Sequence, residues 1–164
     1  MEGEPSMGIE ILIILVLIIA NGVFALTEIA IVSSRKPRLE KYAADGSSGA
    51  KAALELANDP TPLLSTVQVG ITLIGIFTGA YGGATIAQGL TEYLKQLSVV
   101  GPYAATVSIA LVVATITYVS LIIGELVPKR VALNNPEPIA IVIARPMRFL
   151  SKIFMPMVKL LSIS

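Results

Sequence analysis

Residues Glu10 to Arg35 read EILIILVLIIANGVFALTEIAIVSSR, and Glu28 is the only charged residue between the two ends. An α-helix needs about 20 apolar residues to cross the roughly 30 Å hydrocarbon core of a bilayer. A charge at the bilayer centre costs at least about 2.5 kcal/mol, so charged residues mark the ends of a span. The alternative, a secretory signal peptide, is disfavoured because acidic rather than basic residues precede the stretch and because it is too long. We therefore predict a transmembrane helix over 9–32.

The rest of the chain continues this pattern. Two further charge-free stretches end at Glu92 and at Glu125, and they predict transmembrane helices over 63–90 and 103–124. Of the 164 residues, 54% are hydrophobic and only 14% are charged, and the mean hydropathy is +0.80. Soluble domains carry about 25% charged residues. The sequence therefore predicts an all-α membrane protein, with three transmembrane helices in a single domain over 1–164.

The composition also limits the chemistry. The chain has no cysteine and no histidine, which excludes disulfides, thiolate and imidazole metal ligands, and the commonest general base. Its 12 basic and 11 acidic residues give a net charge of +1, so the total does not favour nucleic-acid binding. We expect a protein that is not an enzyme. The remaining carboxylates, hydroxyls, amides and backbone carbonyls are the ligands of hard cations such as Mg²⁺ and Ca²⁺.

Basic residues are distributed unevenly between the two sides of the predicted spans. No lysine or arginine precedes the first span, and the loop between the second and third spans carries only Lys95. The others follow the first span or the third: Arg35, Lys36, Arg38, Lys41, Lys51, Lys129, Arg130, Arg145, Arg148, Lys152 and Lys159. The positive-inside rule then predicts a multi-pass protein of the cell membrane with an external N-terminus and a cytoplasmic C-terminus.

Two cytoplasmic segments are predicted to be helical. In the connector over 33–62, Pro37 suits a first helical position and glycines divide the segment into a helix pair. The juxtamembrane segment over 136–162 places its basic residues on one stripe, opposite apolar residues such as Phe149. This pattern predicts an amphipathic helix on an anionic cytoplasmic leaflet, interrupted at Pro156. An ordinary juxtamembrane linker is the alternative.

Two carboxylates lie within or at the rim of the predicted spans. Glu28 falls inside the first span and Glu125 at the end of the third, both in the cytoplasmic half. An intramembrane carboxylate must be neutral, face water or bind a cation, so both are candidate metal ligands that could meet at one depth. The alternative is that both are interfacial carboxylates that reach toward Lys36, Lys129 or Arg130.

Pro128 points to a backbone ligand. It has no N–H and cannot bond the carbonyl four residues earlier, which belongs to Gly124. In lipid such a carbonyl is tolerated where it lines a cavity or gains another partner, and freed carbonyls of broken helices coordinate cations in transporters. We therefore place Gly124 in the candidate site beside Glu125. A kink healed by a neighbouring hydroxyl or water is the alternative.

Neutral polar residues of the first two spans add further candidate ligands. Asn21 lies two turns before Glu28 on the same face of the first helix, with Thr27 beside them. The second span begins with several polar or small residues: Ser65, Thr66, Gln68, Gly70 and Thr72. Asn21 is equally suited to an interhelical packing hydrogen bond, and the hydroxyls are equally suited to bonding back to their own helix.

The second span also carries a seam of small residues. Gly75, Gly79, Gly83 and Ala87 recur every four residues, which allows another helix to approach closely. Whether the seam faces the chain's own helices or another subunit stays open. Because three helices alone enclose little, we expect a homodimer formed through the transmembrane helices.

Four stretches, in this order, resemble the CNNM/CorC family of divalent-cation transporters: 21–33, 35–39, 64–73 and 124–129. The resemblance implies a dimeric magnesium transporter with three helices, a juxtamembrane helical belt and an ion in a cytosol-facing acidic cavity. It implies ion-holding positions within 21–28, around 70–72, and at Gly124 and Glu125. Some relatives have Asn where this chain has Ile71, which shifts a ligand role there to Thr72 or to the backbone.

The resemblance also implies regulatory partners. Family members usually continue into a paired CBS nucleotide-binding module that regulates transport, and we expect that module to be absent from this chain. Its soluble domains would then be partners in the full-length protein, alongside the second subunit and the lipid bilayer.

The resemblance thus implies a magnesium transporter that exports the ion, with Na⁺ as a candidate coupling ion. The predicted ligands of a largely dehydrated Mg²⁺ are Glu28, Glu125, Gly124, Asn21, Thr27 and Thr72. The alternative is an ion-sensing membrane anchor or dimerisation module without flux of its own. A pore-forming, haemolysin-like protein has little support. Oxygen ligands also accept Na⁺, Ca²⁺, Mn²⁺ and Co²⁺, so the residues leave the ion and the direction of transport open.

Overall fold

The computed structural model describes residues 7–96 and 101–163. Within these ranges the chain is helical and contains no β-strand, which confirms the predicted all-α class. The described residues form eight α-helices: α1 Met7–Ser33, α2 Lys36–Ala44, α3 Ser48–Asn58, α4 Thr61–Ala84, α5 Ile86–Leu94, α6 Ala104–Leu121, α7 Val127–Asn134 and α8 Pro136–Ile163. A 3₁₀ turn, Gly101–Tyr103, leads into α6, and a π-helical turn, Ile122–Leu126, joins α6 to α7.

Three parts of the described chain are long and apolar enough to cross a membrane. They are Gly8–Ser33 in α1, Thr61–Leu94 in α4 and α5, and Gly101–Asn134, which contains α6, the π-turn and α7. The three predicted transmembrane helices are therefore confirmed by length and composition. The third span continues past the predicted end at residue 124, because the π-turn passes directly into α7.

The second span is not the single helix predicted over 63–90. α4 ends at Ala84 and α5 begins at Ile86, and Thr85 between them has φ −105° and ψ −62°. The break follows Gly82 and Gly83, and glycine is a weaker helix former than every residue except proline. α5 then packs against α6 at this end of the bundle.

α1 is the helix on which the other two spans assemble, since it contacts α4, the π-turn, α7 and α8. Gly22 permits a close approach to the third span: a Cβ there would lie 3.0 Å from Pro128 Cγ and 3.1 Å from Ile123 O. Gly124 does the same from the other side, because a Cβ on it would lie 3.1 Å from Asn21 Nδ2. The two glycines therefore bring α1 and the π-turn together at one level.

The buried apolar core lies at the end of the bundle where α1 ends and α4 begins. There the connector helices α2 and α3 and the long α8 pack against one another and against the spans and form a belt. The core residues are Ala30, Ile31, Leu39, Ala52, Ala53, Leu56, Leu63, Val67, Ala132, Ala140, Ala144 and Met147. The many alanines let the belt helices approach the spans closely.

A buried carboxylate that the sequence did not single out joins this belt to the end of α1. Glu137, in the first turn of α8, is 5% exposed. Its Oε1 accepts the backbone N–H of Arg35 at 3.3 Å, and its Oε2 lies 3.7 Å from Arg38 Nη1. Arg35 precedes α2 and Arg38 lies in its first turn. The carboxylate therefore holds the N-terminus of α2 against that of α8, where both helix dipoles favour a negative charge.

α8 runs as one helix from Pro136 to Ile163, so the predicted interruption at Pro156 is wrong. Pro146 and Pro156 lack the N–H groups that would bond the carbonyls of Val142 and Lys152. Both of those residues are exposed, so the protein does not enclose the freed carbonyls, and the helix continues without a break. The side chain of Lys159, which was predicted to join the basic stripe, lies outside the described residues.

Candidate metal site

The π-turn of the third span is built around Pro128. Val127 donates its backbone N–H to Ile122 O, five residues earlier, which is the hydrogen bond that defines a π-turn. The carbonyl of Gly124 cannot bond residue 128 because proline has no N–H. It instead accepts a hydrogen bond from Asn21 Nδ2 of α1 at 3.0 Å. The kink is thus healed by a side-chain amide, rather than by the hydroxyl or water considered from the sequence.

This hydrogen bond also defines the orientation of the Asn21 amide. A carbonyl can only accept, so the NH₂ group faces Gly124 and the acceptor Oδ1 points elsewhere. Within the described residues Oδ1 has no hydrogen-bond partner. Asn21 is half-buried, so this oxygen is available as a ligand for a cation beside the π-turn.

A cavity of about 290 Å³ lies beside this hydrogen bond, between α1, α4 and α6. Its polar lining comes from Asn21, Thr78, Thr117, Ser120 and Glu125. The remaining lining residues are aliphatic or glycine: Ile18, Ile71, Ile74, Gly75, Gly79, Ile116 and Leu121. The cavity therefore combines a carboxylate, an amide and hydroxyls, which are oxygen donors suited to a hard cation.

Glu125 lines the cavity but is already paired. Its Oε1 lies 2.6 Å from Lys129 Nζ, one helical turn further along the chain. The Glu125 side chain is 45% exposed and that of Lys129 is 34% exposed, so the protein does not enclose the pair, and exposed ion pairs contribute within about 1 kcal/mol. This is the contact foreseen by the alternative in which Glu125 reaches toward Lys129. A cation entering the cavity would compete with an ammonium group for this carboxylate.

Glu28 is not part of this cavity. It follows Asn21 by seven residues on α1, which places it about 10 Å further along the helix axis than the level of Gly124. It is half-buried and makes no ion pair or side-chain hydrogen bond with any described residue. The described residues also contain no cluster of three or more carboxylates. The structure therefore brings Asn21, Gly124 and Glu125 together and leaves Glu28 apart.

The two predicted threonine ligands bond back to their own helices. Thr27 is fully buried, and its Oγ1 donates to Val23 O at 2.6 Å. Thr72 is exposed, and its Oγ1 donates to Gln68 O at 2.8 Å. Neither residue lines the cavity. Both hydroxyls bond back to their own helix, which was the alternative to a ligand role.

Thr78 is the hydroxyl of α4 that the sequence analysis missed. It is 4% exposed, and its Oγ1 has no hydrogen-bond partner among the described residues. Thr66 and Thr72 on the same helix donate to the carbonyl four residues earlier, whereas Thr78 does not. A buried hydroxyl without a partner is unfavourable unless water or a ligand satisfies it.

Thr117 and Ser120 of the third span were also missed. A sequence signal for them exists, because Thr117, Ser120 and Gly124 recur at three- and four-residue spacing and so share one helix face. For Thr78 the corresponding signal is that it follows Gly75 by three residues on α4, so the two residues share one face of that helix.

The comparisons with known proteins agree with this architecture. The model of the CNNM family, described as the Cyclin M transmembrane N-terminal domain, matches residues 12–164. The UPF0053 protein sll0260 of Synechocystis sp. is 52% identical over 161 residues, which cover 98% of this chain and 36% of that protein. The UPF0053 protein YhdP of Bacillus subtilis is 31% identical over 154 residues, which cover 94% of this chain and 35% of that protein.

A third relative carries a functional name. The polyamine export protein of Haemophilus influenzae is 28% identical over 151 residues, which cover 90% of this chain and 34% of that protein. The chain spans about a third of the length of these three relatives. Because the family match extends over nearly all of its residues, the chain belongs to the CNNM family of transmembrane domains.

Proposed function

We propose that this chain is the membrane domain of a divalent-cation transporter, and that it moves Mg²⁺ out of the cell. The observation that carries the proposal is the cavity beside the π-turn, where the Glu125 carboxylate, the Asn21 amide and the Thr78 and Ser120 hydroxyls line one space within the spans. Such oxygen donors match the preference of Mg²⁺, which also keeps several of its waters. Family membership supports transport over catalysis.

Charge balance assigns distinct roles to the acidic residues. One carboxylate neutralises half of the charge of a divalent ion, so binding would draw Glu125 away from Lys129 and release the ammonium to solvent. Waters kept by the ion and neutral oxygens would supply the remaining ligands. Glu28 lies about 10 Å along α1 from the level of Asn21 and Gly124, toward the belt, and it would attract cations on their way from the belt to the cavity. Transport would then proceed by alternating access, with the broken helices α4–α5 and α6–α7 as the moving parts.

The small-residue seam supports a homodimer. A Cβ on Gly75, Gly79 or Gly83 would meet no atom within 4 Å, so these three glycines leave room for another helix, whereas Ala87 is already buried within the chain. Gly75 and Gly79 also line the cavity. A second copy packed on this seam would cover the side of the cavity that one chain leaves open.

Orientation and regulation complete the proposal. The concentration of basic residues after the first and third spans supports an external N-terminus and a cytoplasmic belt. Na⁺ is the proposed coupling ion. The relatives are about three times as long as this chain, which leaves room for regulatory soluble domains such as the CBS module. An ion-sensing module without flux is the alternative, and a flux measurement separates the two.

The decisive experiment is Mg²⁺ flux in proteoliposomes that contain a Mg²⁺-sensitive dye. Removing a charged ligand in Glu125→Gln should lower the rate about tenfold or more, since hydrogen bonds and contacts to charged groups contribute about 1.5–3 kcal/mol. Thr78→Val, which keeps the shape of the side chain, should lower it by less. The control is Glu92→Gln, an exposed carboxylate on α5 that does not line this cavity. Normal flux through Glu125→Gln would overturn the proposal.

Polyamine export is the second candidate, and one contact favours it. Lys129 already presents an alkylammonium group to Glu125 at 2.6 Å, and a polyamine carries the same group. One relative is named a polyamine export protein. Isothermal titration distinguishes polyamine export from magnesium export. The ligands are Mg²⁺, Ca²⁺, Mn²⁺, Na⁺ and spermidine, and each is titrated into the wild type and into Glu125→Ala. Heat with spermidine but not with Mg²⁺ would select this candidate.

A further inference from the structure

The belt helix α8 has two unlike faces. One is buried against α3 and the ends of α1 and α4, through Ala140, Ala144, Met147 and Ser151. The opposite face carries four large apolar side chains that remain exposed: Val142 at 75%, Phe149 at 68%, Ile153 at 54% and Leu160 at 72%. We call these four residues the α8 stripe.

The stripe is continuous along the helix. Its members are separated by seven, four and seven residues, so at 3.6 residues per turn they fall within an arc of about 40°. Isolated exposed apolar residues need no explanation, but a row of this kind marks a surface that something apolar covers. Nothing within the described chain covers it.

Two basic side chains lie beside the stripe. Arg145 and Lys152 are exposed and seven residues apart, which places both about 60–80° to one side of the stripe. Neither forms an ion pair with a described residue. Arg148 differs, because its Nη1 lies 2.5 Å from Glu55 Oε2 of α3. The predicted arrangement, with all basic residues opposite the apolar ones, is therefore replaced by two free cations adjacent to the exposed apolar row.

We propose that α8 binds the anionic phospholipids of the leaflet that borders the belt. The α8 stripe inserts among the acyl chains, and Arg145 and Lys152 contact headgroup phosphates. Two observations select this occupant over a protein partner. The helix packs against the end of α1 and the start of α4, which are two of the candidate spans, so in a bilayer the stripe would lie near the membrane surface. The flanking charges are complementary to anionic headgroups, and this combination is typical of helices that lie in the membrane interface. The proposal does not depend on which ion is transported.

The chain contains no tryptophan, so a single introduced indole reports on the stripe alone. We would reconstitute Phe149→Trp in phosphatidylcholine vesicles with or without phosphatidylglycerol, and use lipids brominated on the acyl chains as quenchers. We expect quenching of the indole by brominated lipid, and stronger quenching when the brominated lipid is phosphatidylglycerol. The matched control is Tyr42→Trp, an exposed aromatic position on the charged helix α2, which should stay unquenched.

The basic residues are tested in the Phe149→Trp background. A juxtamembrane basic residue attracts anionic lipid by about 1 kcal/mol, or about fivefold. The double substitution Arg145→Gln and Lys152→Gln should therefore remove the preference for phosphatidylglycerol, whereas Lys51→Gln, an exposed lysine of α3, should preserve it. Equal quenching by both lipids before the double substitution would overturn the anionic preference. A buried-type emission without quenching would show that protein covers the stripe, and would overturn the proposal as a whole.

Discussion

Replacing Asn21 with alanine removes the amide that bonds the Gly124 carbonyl at 3.0 Å. Gly124 is buried, and a buried acceptor left without a partner costs about 1–3 kcal/mol. Side-chain hydrogen bonds in membrane proteins average only about 0.6 kcal/mol and reach about 1.7 kcal/mol, because the unfolded state in the membrane also finds partners. We therefore expect Asn21→Ala to lower the free energy of unfolding by about 1 kcal/mol.

The cause of this loss is testable through Pro128. Pro128→Ala restores an N–H at residue 128, which can bond the Gly124 carbonyl within its own helix. In that background Asn21→Ala should cost close to nothing, so the coupling energy between the two positions should be about 1 kcal/mol. The packing of Pro128 against Gly22 is lost equally in the Pro128→Ala single variant and in the double variant, so it cancels from the coupling energy.

The assay is reversible unfolding in mixed micelles, followed by far-UV circular dichroism as the denaturing detergent increases. The control is Asn58→Ala, an exposed asparagine at the end of α3, which should change the unfolding free energy by less than about 0.5 kcal/mol. If Asn21→Ala cost the same with and without Pro128, the amide would not be acting on the orphaned carbonyl and the account of the π-turn would be refuted.

Four further predictions each concern a single residue. Glu137 is buried, and Glu137→Leu leaves the Arg35 N–H without its acceptor and the exposed Arg38 guanidinium without its partner, so it should cost about 1–3 kcal/mol of unfolding free energy. Glu55→Leu, at an exposed carboxylate, should cost under about 1 kcal/mol. Equal losses would contradict the role of Glu137 in holding α2 against α8. Gly22→Ala should cost about 1–3 kcal/mol, since its Cβ would meet the third span at 3.0 Å. Gly79→Ile should leave the stability of the monomer unchanged and weaken dimerisation, which cross-linking measures. A dimer as stable as that of the wild type would contradict packing of the second copy on the small-residue seam. Lys129→Gln removes the ammonium that competes with the cation for Glu125, so it should raise the Mg²⁺ affinity up to about fivefold. Isothermal titration measures the affinity, and a decrease would contradict competition between Lys129 and Mg²⁺.

The sequence predicts what local chemistry decides. Long charge-free stretches define the three spans because a charge in lipid is expensive whatever the tertiary structure. The absent N–H of Pro128 likewise predicts a freed carbonyl at Gly124 without any knowledge of its surroundings. The break at Thr85 and the continuity of α8 through Pro156 were not predicted, because each depends on what surrounds the affected carbonyls and on packing between helices.

The separation of the two intramembrane glutamates shows where such prediction ends. The second span returns the chain, so α1 and the third span run in the same direction, and the contact of Asn21 with Gly124 defines their register. Glu125 is one residue beyond that contact and Glu28 is seven beyond it, a difference of six residues or about 9 Å along the axis. Offsets along one helix can be counted from the sequence, but the level at which two helices touch depends on where their glycines permit approach. A shared carboxylate pair within one chain therefore gives way to a single carboxylate beside the π-turn, and an ion there must rely on Glu125, its neutral neighbours and retained water.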